Sequence, residues 1–433
     1  MTSSPLRFNH IDDLPHIFGA LTIVGEAQIE KEKYILRHKA EGLSASVGTE
    51  PKTTNVSPNK PPQLYTNKEV KAAYQNNNWA KIKEIEDKAQ KGLQPVMENI
   101  KNLGERAWAK VKSSKGDEFY MSWTQDALIW SFTESMVAAT EAAKAENPNT
   151  AFQSTIQVGQ YVKGVSILGV HSYNLDTPHI LGYSVAAYLV ARVLSSTIAD
   201  GLGFLVVNFA IRLTQVAVEL GLESFSFVVS PGLLASLAST LVFVIVFITV
   251  MYIFNWLNRL FTLKVQVFNW DKDNDWKLFK HSKDNAVNPG RANDFGALDY
   301  TIDKMGTSNS TILPPDFNPI TTLDSICYYG VLIYQNEQTF MEGCDIAIQT
   351  ICGNNPTEGF TIGVSVPWGS SNKIAIQNAS LDPGYFLKHA HWTSEPKTLS
   401  IDYHGKTITT TIDYLVSAPD DLYNVNVHIG KNE

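Results

Sequence analysis

The spacing of apolar residues changes twice along the chain, and each change marks a different kind of structure. Residues 41–65 (EGLSASVGTEPKTTNVSPNKPPQLY) show no period and are rich in Ser, Thr, Pro, Lys and Asn, so they have little to bury. An exposed linker is expected there, which sets residues 1–65 apart as an N-terminal segment. Thr66-Asn67-Lys68-Glu69 then has capping-box form, with Thr66 as N-cap and Glu69 reaching back. Val96, Met97, Ile100, Leu103, Ala107, Trp108 and Val111 recur at three- and four-residue steps, the mark of one apolar helical face. Residues 119–145, with Trp123, Ala127, Trp130, Met136 and Ala138, read as a further helix that Asn147-Pro148 would end.

Between Ile180 and Asn258 the chain carries only five charges, Arg192, Asp200, Arg212, Glu219 and Glu223, and from Ser224 to Asn258 it carries none. Gly232 to Phe254 is 23 residues without a charge or an internal helix breaker. As a helix it would be about 34 Å long, against roughly 30 Å for the hydrocarbon core of a bilayer. Leu233, Leu241, Phe243, Phe247, Val250 and Phe254 are the residues expected to enter lipid. The segments near 180–199 and 201–220 each hold an arginine that opposes insertion by about 2.5–3.5 kcal/mol. Ser230-Pro231-Gly232 reads as a hairpin corner between the last two segments.

After Thr262 the period becomes that of a strand. Leu263–Phe268, Asp345–Ile351, Lys373–Ile376 and Asn424–Ile429 alternate, and Lys397–Val416 reads as a Thr-rich hairpin turning at His404-Gly405. Short strands with no helix between them predict an antiparallel sandwich or barrel. The fold class expected is therefore α+β. An N-terminal helical bundle with a buried hydrophobic hairpin, residues 66–262, is followed by a β-sandwich, residues 263–433.

The formal net charge of −8 argues against a nucleic-acid partner, which would need a basic stripe. Three cysteines, Cys327, Cys344 and Cys352, exclude a disulfide framework; all three are expected reduced, with Cys344 and Cys352 the pair best spaced for a single bridge. MTSSPLRFNHIDDLPHIFG has acids and prolines and no apolar core, so it is not a secretory leader. A protein released without a classical signal, soluble until it meets a target membrane, is the expectation.

Tyr329-Gly330-Val331-Leu332-Ile333-Tyr334, followed by Ser365-Val366-Pro367-Trp368, resembles the β-sandwich of the actinoporins, the sphingomyelin-directed cytolysins of sea anemones. The fungal fruit-body lectins are similar in fold, and Val265–Trp270 and Tyr423–Ile429 resemble the first and last strands of such domains. The likeness covers about residues 263–433. It implies that Val331, Ser365 and Pro367 help to line a phosphocholine pocket together with tyrosines. The nearest match to the family's tyrosine doublet is Tyr385-Phe386, and the gap between the two motifs is longer than in the family. The chain as a whole looks like an α-helical pore-forming toxin, with a receptor-binding β domain and an apolar hairpin in hiding.

Aromatic rings attract quaternary ammonium groups, and a tryptophan on a loop tip favours the membrane interface. Trp368 precedes the turn-like Gly369-Ser370-Ser371-Asn372, and Tyr334, Tyr385 and Trp392 complete the expected headgroup or glycan contacts. No nucleophile elbow, phosphate-binding loop, dinucleotide fingerprint or zinc-protease motif is present, so no enzyme activity and no cofactor are expected. Asp271, Asp273 and Asp275 have the spacing that opens a calcium loop, but Trp276 and Ser282 stand where Gly and Glu are needed, and an exposed turn is the better reading. His389 and His391 would share one face of a strand, without a third metal ligand.

These residues predict a pore-forming cytolysin. It would bind a membrane lipid such as sphingomyelin or another choline lipid, or a cell-surface glycan, then insert its hairpin and act as a homo-oligomer. The competing expectations are a lectin-like binding protein whose helices never insert, and a resident integral membrane protein.

Overall fold

The computed structural model describes residues 21–26, 53–54, 56–114, 116, 118–134, 152–165, 167–177, 226–227, 261–287, 297–306, 325–336, 343–418 and 421–433. In the N-terminal half the elements are β1 (Thr22–Glu26), β2 (Thr53–Thr54), β3 (Val56–Thr66), α1 (Lys68–Gln75), α2 (Trp79–Leu103), β4 (Ala109–Lys112), β5 (Glu118–Trp123), β6 (Ala127–Glu134), β7 (Phe152–Val162), β8 (Ile167–Thr177) and β9 (Ser226–Phe227). The C-terminal half holds β10 (Thr262–Asn269), β11 (Trp276–Asp284), β12 (Ala286–Val287), β13 (Ala297–Ile302), β14 (Ser325–Asn336), β15 (Cys344–Cys352), β16 (Gly359–Val366) and β17 (Lys373–Gln377). It ends with α3 (Pro383–His389), β18 (Thr398–Tyr403), β19 (Lys406–Ile412) and β20 (Leu422–Ile429).

Most of the strands join one large sheet in the order β1-β4-β5-β6-β7-β8-β3-β14-β10-β20-β19-β18, with β12 on the side of β14. Its pairs are antiparallel except β10–β20, which is parallel. A five-stranded antiparallel sheet, β13-β11-β15-β16-β17, faces the C-terminal part of the large one. Strand alternation explains the core between them. Val265, Val267, Leu332, Tyr334, Val425 and Val427 point inward from the large sheet, and Ile346, Ile348, Phe360, Ile362 and Val364 from the small one.

The outer face of the small sheet is built for a helix. Ser282, Ala347, Gly363 and Ala375 lie side by side across four strands, and these small side chains leave room for α3. Phe386 packs there with Ala347 and Ala375, and Trp392 packs beside it. A β-carbon on Gly363 would stand 2.7 Å from the Trp392 ring and 2.9 Å from Phe386. Gly363→Val is therefore expected to lower stability by about 1–3 kcal/mol through overpacking, read as a shift in the urea midpoint with unchanged slope.

An N-terminal helical bundle over 66–262 is not what forms. Two helices, α1 and α2, are described in that half, and Ala109–Lys112, Glu118–Trp123, Ala127–Glu134, Phe152–Val162 and Ile167–Thr177 are strands. The helical reading of 119–145 fails because a turn separates Trp123 from Ala127 and Trp130, and Phe119, Met121 and Trp123 alternate on one side of it as Leu128 and Trp130 do on the other. That turn is made where Thr124 N–H donates to Ala127 O at 2.8 Å. Phe119, Met121, Trp123, Leu128 and Trp130 then fill one core, as aromatic residues on a pleated surface do. The apolar helical face ends at Leu103, so Val111 belongs to β4 and Ala107 to a 3-10 turn, Gly104–Ala107. Residues 56–65, expected within a linker, lie in strand β3, which pairs with both β8 and β14.

The N-cap of α1 is Asn67, whose side chain accepts from Val70 N at 2.9 Å; Thr66 is the last residue of β3. Residues 232–254, with Leu233, Leu241, Phe243, Phe247, Val250 and Phe254, lie outside the described residues. Among the described residues no helix is long and apolar enough to cross a membrane.

Candidate functional site

One end of the facing sheets carries exposed aromatic and apolar side chains on two neighbouring loops. The loop 367–372 follows β16, and the connection 413–421 follows β19. Asn372 ties them together: its backbone N–H donates to Leu415 O at 2.8 Å and its Nδ2 to Tyr414 O at 2.9 Å. Trp368 on the first loop is 54% exposed, and Val416 on the second is 64% exposed, with Tyr414 beside it at 38%. Such large apolar side chains in water are the informative exception to burial.

The second loop is held from below by Asp413. Its carboxylate accepts from Tyr414 N at 2.9 Å, Asn424 N at 2.9 Å and Asn424 Nδ2 at 2.6 Å. Burial pushes this carboxyl up from its ordinary value, against the pull of those hydrogen bonds and of the Lys264 charge. Lys397 donates to Asp413 O at 2.6 Å and lies 5.7 Å over the Tyr414 ring, a cation–π contact. Tyr423 OH accepts from Ala418 N at 3.4 Å.

Phe261 forms the floor of this end. Its ring meets Trp368 edge-on at 5.5 Å and Tyr423 at 6.0 Å. Phe261 immediately precedes β10, and the charge-free run Ser224–Asn258 ends three residues before it, ahead of Arg259 and Leu260.

The seven residues expected to bind a headgroup or glycan do not converge. Trp368 is on the exposed loop tip, with Pro367 half-buried at its base. Ser365 is on the outer face of β16, in register with Asp345 and Lys373. Burial raises the Asp345 carboxyl; the Ser365 hydrogen bond opposes this, the Asp284 charge adds to it and the Lys373 charge lowers it. Tyr385 is 55% exposed on α3 and stacks on His389 at 4.1 Å. Trp392 is half-buried against Gly363, while Val331 and Tyr334 are buried on opposite faces of β14. The Tyr334 hydroxyl meets His281 Nδ1 at 2.9 Å inside the core. Sequence reasoning passed over Phe261, Tyr414 and Val416; the signal for the last was an apolar pair, Leu415-Val416, in a turn-rich stretch.

The metal candidates are also rearranged. Asp271 opens a turn in which Asp273 and Asp275 are exposed as expected, but Asp271 itself is fully buried, and the Lys406 ammonium lies 3.0 Å from it, 2.5 Å from Asp273 and against Glu433. Those three carboxylates could by their spacing hold a cation, and the ammonium occupies that place. Asp275 stands apart, accepting from Lys304 N at 2.8 Å. His389 ends α3 and His391 follows it, so they do not share a strand face; His389 Nδ1 meets Tyr385 O at 2.8 Å. Cys344 and Cys352 begin and end one strand, which separates them by about 26 Å, far beyond disulfide reach; both, and Cys327, are free thiols. No known family matches the sequence, and no curated protein does either.

Proposed function

We propose that this chain is a membrane-damaging protein whose β unit docks end-on upon a bilayer before the charge-free segment 232–254 enters the lipid. The observation that carries this reading is the meeting of two features at one end. Trp368, Tyr414 and Val416 are exposed on clamped loops, and Phe261 beneath Trp368 is where the chain arrives from its most apolar stretch. Docking at this end brings the apolar segment to the bilayer surface without a large movement of the β unit.

A net charge of −8 gives no general attraction to anionic lipid. Zwitterionic choline headgroups suit the site better, because the exposed Trp368 ring can meet a quaternary ammonium, while the Tyr414 ring already holds the Lys397 ammonium. One inserted segment cannot enclose water, so leakage requires several copies.

The test is flotation and dye release on sphingomyelin and on phosphatidylcholine vesicles. The full chain is expected to be soluble without detergent, to bind and to release dye. Trp368→Ala is expected to weaken vesicle binding about tenfold, as the loss of roughly half of a buried indole implies. Tight binding with sealed vesicles would remove the pore reading and leave a lectin-like binder. A chain that needs detergent from the start would remove both in favour of a resident membrane protein.

A further inference from the structure

Helix α1 ends on an asparagine that is inserted into the large sheet. Asn77 follows the C-cap Asn76 and has a left-handed backbone, φ 50°, which asparagine tolerates better than most residues. This turn aims its side chain at β19 and β20. Asn77 Nδ2 donates to Thr411 Oγ1 at 3.0 Å, and Asn77 Oδ1 accepts from Asn426 Nδ2 at 2.9 Å. The same Oδ1 lies 3.0 Å from His428 Nε2.

The rest of the network decides the protonation state of that imidazole. Trp270 Nε1 lies 3.0 Å from His428 Nδ1. An indole N–H can only donate, so Nδ1 must accept, and the neutral ring carries its one proton on Nε2, where it donates to Asn77. A second proton would go to Nδ1 and set two donors face to face. The ring is fully buried, stacked 5.2 Å from Phe268.

The charged and titratable groups packed around it offer a cation no support. From α1 come Lys71, 5.7 Å over the Trp270 ring, and Tyr74. From β14 come Cys327 and Tyr329, and the charge of Glu86 on α2 acts on the two tyrosines. The charge that acts on His428 itself is the cation Lys431.

We propose that Asn77, His428 and Trp270 form an acid-released latch that holds α1 against the large sheet. Protonation of His428 sets an Nδ1–H against the Trp270 N–H while its Nε2–H still reaches Asn77, so the clash and the buried charge are relieved when α1 lifts and water reaches the imidazolium. Burial first, and then Lys431, lowers the His428 pKa from its ordinary value to about 3, so the docked state resists the proton that the undocked state accepts. The joint is not fully satisfied even when closed. Tyr74 OH on α1, with Tyr329 OH and Asn426 Oδ1 on the sheet, is buried without a hydrogen-bond partner among the described residues, and water would reach these atoms on undocking. The latch is a property of the chain alone and does not depend on lipid binding.

Its signature is the ratio of undocked to docked α1. Above about pH 6.5 that ratio is flat; below it, each pH unit raises it about tenfold, to about 100-fold at pH 4.5. The experiment is amide hydrogen exchange on the full chain at pH 7.5 and 4.5, corrected for the intrinsic rate. Protection of residues 70–77 is expected to fall about 100-fold while the interiors of β10 and β20 stay protected. His428→Gln keeps an acceptor for Trp270 and a donor for Asn77 but cannot titrate, and should abolish the change. Should that variant fail to fold, Asn77→Gly serves: glycine suits the φ of 50°, leaves His428 in place, and should expose α1 equally at both pH values. Protection that is the same at both pH values in the unaltered chain overturns the proposal. An equal loss in His428→Gln, or full protection of α1 in Asn77→Gly, does so too.

Discussion

Asp271→Ala is expected to destabilise the protein by about 3–5 kcal/mol, the cost of removing one partner from a buried charged network. The carboxylate is fully buried at the end of the β unit opposite Trp368, in the turn after β10. It accepts from Asp273 N at 2.8 Å, Asn274 N at 3.2 Å, Asn274 Nδ2 at 3.0 Å and Trp276 Nε1 at 3.1 Å, and pairs with Lys406. Its loss leaves the buried Trp276 N–H without its acceptor and frees a turn that three of those bonds define. The rest of the ion cluster survives, because Lys406 keeps Asp273 and Glu433. Guanidinium denaturation of the full chain checks the value.

The same carboxylate predicts a pH dependence with a definite sign. Burial pushes the Asp271 pKa up, but hydrogen bonds from Asn274, the Asp273 backbone, Trp276 and Lys406 more than reverse this, and the net shift is downward. A carboxyl with a lowered folded pKa contributes stability above its unfolded value, about 3.9, and loses it as the pH falls through and below that point. The difference in stability between the unaltered chain and Asp271→Ala should therefore be constant from pH 7 to about 5 and shrink toward pH 3. A gap that widens in acid would show that the ionised form is not the one the fold favours.

How far the sequence reveals this structure depends on whether a local period has one reading or two. Asp345–Ile351 alternates over seven residues, and no helix could place Ile346 and Ile348 together in a core; it lies in β15. Ile82, Ile85, Ala89, Leu93, Val96 and Ile100 repeat only as a helix does, and they line the buried side of α2. Trp123, Ala127 and Trp130 fit a helical spacing, yet Leu128 and Trp130 alternate as a strand does, and pairing within the large sheet settles both segments as strand. β3 was hidden for another reason. Its prolines and polar residues suit a loop, and what makes it a strand is pairing with β8 and β14, Tyr65 opposite Leu168 and Ile326. Shifts of register between Pro58 and Lys60 and again between Lys60 and Gln63 mark the irregularity that those prolines bring.

The candidate site divides in the same way. Trp368 before Gly369-Ser370-Ser371-Asn372 is legible as a loop-tip aromatic from the turn residues alone. Tyr414 and Val416 become its neighbours only because Asn372 bonds Tyr414 O and Leu415 O across the end of the sheets. Val331 and Tyr334 illustrate the limit of motif spacing. Separated by three residues on one strand, they point to opposite faces, and neither reaches the exposed end.

Phe247→Asp should abolish dye release while leaving vesicle binding through Trp368 intact. Phe247 is four residues from Phe243, the middle of the run Gly232–Phe254, which is about 6 Å along a helix. A carboxylate there opposes entry by about 2.5–3.5 kcal/mol for each segment. In an assembly of several copies every segment carries that cost, so even the single-segment figure, a factor of roughly 100 or more, compounds. Trp368→Ala acts at the other step, lowering binding while leaving the leakage per bound molecule unchanged. The two variants therefore separate docking from insertion. A thermal melt matched to the unaltered chain shows that Phe247→Asp is folded, and Phe247→Leu, apolar and similar in volume, should retain full release. Leakage undiminished in a folded Phe247→Asp would mean that this segment does not enter the bilayer.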